Sequence, residues 1–113
     1  MISMILVKIT LTAHPEKRME LFQTLFSLIE PVKKEKGCSS YAIFCDITDK
    51  NSFCILEEWT NQNYLNHHLK SLRFDVLLGT KPLLLTPPIV QIHTPNHSQG
   101  MAYVEDVRTK GKE

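Results

Sequence analysis

At 113 residues, with 42% hydrophobic and 22% charged side chains, the chain has the composition of one globular domain around a single modest core. Thirteen Lys and Arg against 12 Asp and Glu leave it near neutral, and no basic stripe interleaved with aromatics is present, which argues against nucleic-acid binding. No apolar run approaches the about 18 residues a membrane span needs, and the apolar start MISMILVKITL alternates, is interrupted by Lys8 and precedes no small-residue cleavage site, so neither a spanning segment nor a secretory leader is expected.

From Met4 to Thr12 the chain alternates, with Ile5, Val7, Ile9 and Leu11 on one face, the period of a first strand. His14-Pro15-Glu16 opens a helix, since proline suits the first helical position and a carboxylate the positive end of the dipole. Met19, Phe22, Leu25, Phe26, Ile29 and Val32 then recur at helical spacing and define its expected inner stripe. Pro31 inside this pattern predicts a kink or a tightened last turn. Lys33-Lys34-Glu35-Lys36 reads as a solvated helix end, and Gly37 as the left-handed stop.

Ser39 to Ile47 and Ser52 to Trp59 read as a strand pair joined by the polar turn Thr48–Asn51. A four-residue loop pairs Ile47 with Ser52 and sets Cys45 opposite Cys54. In that register Tyr41, Ile43, Cys45, Cys54 and Leu56 share one face, and Ala42, Phe44, Phe53, Ile55, Glu57 and Trp59 the other. Cys45 and Cys54 would then lie within reach of a cross-strand disulfide. An odd number of cysteines without an export signal points instead to reduced thiols in a cytoplasmic protein.

Thr60 is the expected N-cap of a second helix over 61–72, with Leu65, Leu69 and Leu72 inward, Tyr64 and His68 flanking, and His67 outward. A further helical pattern over 73–84 carries Phe74 and Leu77 and weakens at Gly79 and Pro82. Pro87-Pro88 breaks the chain before a fourth strand, Ile89 to His93. The order β-α-β-β-α-β is the split βαβ, ferredoxin-like arrangement: an α+β fold with a four-stranded antiparallel sheet and its helices on one face. Residues 1–95 form this domain, and 96–113 read as a polar tail, ordered only if it docks. Both hairpin faces are apolar, so the uncovered face calls for a second copy, a homodimer with sheets back to back.

Glu35 to Tyr41, Glu57-Glu58-Trp59-Thr60 and His68 to Phe74 carry a resemblance to the antibiotic biosynthesis monooxygenase (ABM) domain family, which covers about residues 4–94. The resemblance implies a dimeric α/β barrel and, in its quinol-oxidising subgroup, a cofactor-independent oxidoreductase. Electron-rich phenols reduce oxygen directly once deprotonated, so that chemistry needs no flavin, haem or metal. It needs an apolar pocket and a base working near neutral pH. The haem-degrading subgroup uses an asparagine, a tryptophan and a histidine at places that fall here on Val7, His68 and Leu78. None has the required side chain, so haem degradation is not expected.

His68 is the candidate base or hydrogen-bond partner, against a core histidine satisfied by a carbonyl or by Glu57. Trp59 offers a pocket wall and an indole N–H, or simply a large core aromatic. Glu57, inward on the same strand face, must hold a partner, structural or catalytic. Tyr64, Phe44, Phe74 and Leu77 are candidate substrate-lining residues. No metal site is expected, because His67 and His68 diverge by about 100 degrees on a helix and the cysteine spacings match no zinc motif. The leading expectation is a monooxygenase acting on a quinol or polyphenolic aromatic. A non-catalytic dimeric small-ligand-binding module and an isomerase of a small carbonyl compound are the alternatives.

Overall fold

Period-two alternation in three successive segments builds the sheet. In a computed structural model describing residues 4–111, β1 (Ile5–Thr12) lies centrally, β3 (Ser52–Trp59) and β4 (Ile89–His93) flank it, and β2 (Cys38–Cys45) completes the order β2-β3-β1-β4, every pair antiparallel. Ile5, Val7, Ile9 and Leu11 face the helices and are buried, as are Phe53, Ile55, Glu57 and Trp59 across from them. Burial of each large apolar side chain stabilises the fold by about 1.5–3 kcal/mol. The α+β, four-stranded antiparallel architecture expected from the pattern is the one observed.

The long helix α1 (Arg18–Lys33) follows a single 3-10 turn at Pro15–Lys17 and runs through Pro31 to Lys33. Its buried stripe is Leu21, Leu25, Leu28 and Val32, which shares only Leu25 and Val32 with the one expected. Met19, Phe22 and Phe26 are largely exposed. The helix carries two apolar stripes at i, i+4, i+7 spacing, and the all-aliphatic one takes the core. The aromatic one is rotated toward the edge of β2.

The hairpin register also differs from expectation by one residue. Cys45 pairs with Phe53, Phe44 with Cys54 and Tyr41 with Glu57. Asp46 ends the strand early: its Oδ1 accepts hydrogen bonds from the backbone N–H and hydroxyl of Thr48, both 2.8 Å, and its own N–H donates to the Ser52 carbonyl at 2.9 Å. Ile47 is thereby expelled into solvent. A one-residue slip moves every side chain of one strand to the opposite face. Cys45 and Cys54 therefore lie on opposite faces, which removes the disulfide, and all three cysteines are free. Tyr41, Ile43 and Cys45 join the helix-covered face, while Phe44 sits on the outer face with Cys54.

The second helical region is two helices. Asn61, rather than Thr60, caps α2 (Gln62–Leu69) through Oδ1, which accepts from the Tyr64 N–H at 3.0 Å. Lys70-Ser71 interrupts the pattern, and Ser71 caps α3 (Leu72–Leu78) by accepting from the Phe74 N–H while donating to the His68 carbonyl. That break leaves Leu72 exposed instead of inward. The chain beyond β4 is not featureless: α4 (Met101–Lys110) is helical and exposed throughout.

Candidate functional site

The turn after α1 positions the polar end of the helix-covered layer. Gly37 adopts φ +86°, and its carbonyl accepts from the Thr60 N–H at 2.9 Å, tying the turn to the end of β3. A Cβ at Gly37 would lie 2.2 Å from Cγ of Tyr64, so α2 packs against this turn only because no side chain is there. Drawn in this way, Glu35 leaves the solvated lysine run and turns inward, its side chain 7% exposed. The reading of Lys33–Lys36 as a wholly solvated helix end fails at this one residue.

His68 stands in the last turn of α2, where the helix dipole favours a cation. Its Nδ1 lies 3.1 Å from both carboxylate oxygens of Glu35, and its Nε2 faces Oε1 of Glu57 at 3.6 Å. The Trp59 indole donates to that same Oε1 at 2.9 Å, and the imidazole stacks on the Trp59 ring with centroids 4.5 Å apart. Arg73, on α3, holds the far oxygen of Glu35. Burial alone would pull the His68 pKa down, but the carboxylates of Glu57 and then Glu35 outweigh it and hold it above its usual value. With His68 protonated, two carboxylates face two cations and the cluster is neutral.

Glu57 is completely buried, and its Oε2 has no hydrogen-bond partner among the described residues. An orphaned buried oxygen costs about 1–3 kcal/mol, more when charged. Tyr41, directly across from Glu57, has its phenol pKa raised by burial and by that carboxylate. Burial, Glu57 and Glu35 push the Cys38 thiol up to about 11. Both groups stay protonated beside Glu57.

The structure thus brings together His68, Trp59 and Glu57. Phe74 meets the His68 ring edge-on at 5.5 Å, Leu77 is buried in the core and Tyr64 covers Gly37. Phe44 does not join them: the register shift places it on the outer face, half-exposed, where it borders the apolar cleft between α1 and the hairpin. Glu35, Arg73 and Tyr41 were not legible as site residues. The Asp46-x-Thr48 turn is the signal that would have corrected the register and found Tyr41.

A cleft of about 290 Å³ opens at the other end of the same layer, between α1 and the β2–β3 hairpin. Phe22, Phe26 and Ile29 form its roof, and Ile43, Cys45 and Phe53 its floor. The Ile43/Ile55 and Tyr41/Glu57 pairs are successive steps on the inner face, about 7 Å apart along a strand. Glu57 therefore lies one inner-face step beyond the cleft residue Ile43, outside the cleft lining and completely buried.

The sequence profile of the family described as antibiotic biosynthesis monooxygenase matches residues 4–77, which carry β1, α1, the hairpin, α2 and most of α3. The chain belongs to the antibiotic biosynthesis monooxygenase family. An uncharacterised protein of Synechocystis sp. is 33% identical over 84 residues, 74% of this chain, and this chain spans just over half (57%) of that relative. YcnE of Bacillus subtilis is 26% identical over 80% of this chain and 96% of its own length. The fold is shared with Rv0793 of Mycobacterium tuberculosis, with a TM-score of 0.80 at 22% identity, covering 87% of this chain and all of that one. Residues of α4 lie beyond the ABM profile. Among the described residues no helix is long and apolar enough to cross a membrane, and no group of three or more His, Cys, Asp or Glu side chains is placed to hold a metal.

Proposed function

We propose that this ABM domain is a cofactor-independent monooxygenase that oxidises a quinol or polyphenol, with Glu57 as the proton acceptor and His68 as the cation that supports it. The unpartnered, buried Oε2 of Glu57 carries this reading. A phenolic O–H would satisfy that oxygen, and transfer of its proton gives the electron-rich phenolate that oxygen attacks. His68, raised in pKa and flanked by carboxylates, is a poor base but a good counter-charge. Trp59 fixes the Glu57 carboxylate through its indole, and Glu35 and Arg73 fix His68. The aromatic ring is received by the cleft under α1, whose walls offer stacking surface and exclude water. Per turnover one quinol and one O2 give one hydroxyquinone and one water.

The chain acts as a homodimer in this reading. The outer sheet face presents Leu6, Ala42, Phe44, Leu56 and Ile89 around Lys8 and Thr10, the surface a second copy would bury in this reading. Its free cysteines suit the cytoplasm.

Oxygen uptake by the purified protein with 1,4-naphthohydroquinone and no added cofactor tests the proposal. Uptake above autoxidation, with hydroxynaphthoquinone formed one for one, is expected. The closed state of the cluster, with Trp59, Glu57 and His68 nearly inaccessible, favours a second reading, a binding module using only the cleft. Tight quinone binding without oxygen uptake would establish that reading instead.

A further inference from the structure

We propose that the cleft under α1 captures flat conjugated electrophiles, quinones or enones, as covalent adducts of Cys45. The cleft is lined almost wholly by aromatic and aliphatic side chains, and its wall carries the thiol of Cys45. Cys45 is exposed, unlike Cys38 and Cys54. Arg18 is held at the same mouth by three contacts. Its Nε donates to the Lys50 carbonyl at 2.6 Å, its guanidinium carbon lies 5.4 Å above the Phe53 ring, and its Nη2 approaches the Cys45 sulfur at 4.0 Å. The Cys45 thiol itself donates to the Lys50 carbonyl at 3.5 Å and the Asp46 carbonyl at 3.8 Å, and the fixed Arg18 cation stands where a carbonyl oxygen of a bound electrophile gains negative charge.

The step balances without an oxidant. The Cys45 sulfur forms a C–S bond at the carbon β to the carbonyl, and the C=C electron pair moves to oxygen as an enolate beside Arg18. The thiol proton, released to water at the cleft mouth, returns to that oxygen. With a quinone, the hydrogen on the attacked carbon then leaves as a proton to solvent while the second carbonyl oxygen takes one up, and the captured ring becomes a thioether-substituted hydroquinone. Phe22 and Phe26 hold the ring against Phe53 while this occurs, which selects flat apolar electrophiles over small polar ones.

The other two thiols are internal controls. Cys38 is pushed up to about 11 by burial and the nearby carboxylates, and Cys54 is on the opposite face of the sheet. None of this requires the chain to oxidise its ligand, so the capture stands or falls separately from the monooxygenase reading.

The full chain, treated with limiting 1,4-naphthoquinone and separately with iodoacetamide, is mapped by peptide mass spectrometry against time. Naphthoquinone is expected to modify Cys45 on the order of tenfold faster than Cys54, a preference arising from binding in the cleft, and iodoacetamide to show a smaller preference. Phe26→Ala, at an exposed position, should erase the naphthoquinone preference while leaving the iodoacetamide rate unchanged. Arg18→Gln should slow adduct formation, and Cys45→Ser should abolish the first adduct. Equal naphthoquinone rates at Cys45 and Cys54, or a preference that survives Phe26→Ala, would overturn the proposal.

Discussion

The two ends of the helix-covered layer are built on opposite principles. At one end Glu35, His68, Glu57 and Arg73 form a charged cluster packed against Trp59 and nearly closed to water. At the other, Phe22, Phe26, Ile43 and Phe53 leave an open apolar cleft whose lining carries no carboxylate or imidazole, only the thiol of Cys45. Burying charge costs stability unless every partner is present, whereas exposed aromatics on a helix cost little. The polar end is therefore the demanding one. The proposed proton transfer is assigned to it, and ligand affinity is assigned to the cleft.

The contrast breaks most visibly when one partner is removed from the closed end. His68→Ala leaves Glu57 and Glu35 buried without their shared cation, and about 3–5 kcal/mol of stability should be lost in urea unfolding. A loss under about 1 kcal/mol would mean that water already reaches the cluster. Gly37→Ala attacks the turn that delivers Glu35. The combination of positive φ and overlap with Tyr64 should cost about 2–3 kcal/mol by the same assay.

A smaller effect is the pH dependence. Folding raises the His68 pKa, so its ion pairs contribute fully below the usual value of about 6.5 and fade as pH climbs through the raised folded value. Thermal unfolding should show stability falling through that range in the wild type and a flatter profile in His68→Gln. A second decline is expected in alkali. The Cys38 thiol, pushed up to about 11, and the raised Tyr41 phenol must both give up a proton that the folded chain holds more tightly than the unfolded one. Tyr41→Phe should lessen that decline.

The smallest stability effect belongs to the open end. Phe26→Ala should change unfolding free energy by less than about 0.5 kcal/mol, as exposed substitutions do. It should nonetheless weaken naphthoquinone binding by about fivefold, or roughly 1 kcal/mol, in a calorimetric titration carried out with Cys45→Ser in both proteins so that binding is reversible. Unchanged binding would separate the cleft from ligand recognition.

The elements were legible in the sequence because each is local. β1 alternates over eight residues, Gly37 marks its turn, and the double proline at 87–88 precedes β4. The β-α-β-β-α-β order followed from these, and the family from the resemblance carried by Glu35 to Tyr41, Glu57 to Thr60 and His68 to Phe74. What was hidden depended on contacts between elements. α1 holds two stripes of equal helical spacing, and only packing against the sheet selects Leu21, Leu25, Leu28 and Val32 over the aromatics. The hairpin register turned on a single Asp46 side chain folding back onto Thr48. At the site, Trp59, Glu57 and His68 were within reach of pattern reasoning because strand alternation and helix phase place them inward. Glu35 was not, since it sits in a run of lysines and is drawn in by Gly37 and by Arg73, 38 residues away. Residues beyond β4 read as polar tail, yet α4 forms there with Met101, Val104 and Val107 recurring at helical spacing on an exposed helix.

Glu57→Gln is the most direct test, because it keeps the shape of the side chain while removing its charge and its capacity to take a proton. Oxygen uptake with 1,4-naphthohydroquinone should fall by about 100-fold or more, with naphthoquinone binding in the cleft and the folded state both retained. An undiminished rate in folded Glu57→Gln protein would contradict the account and move the chemistry away from the buried cluster.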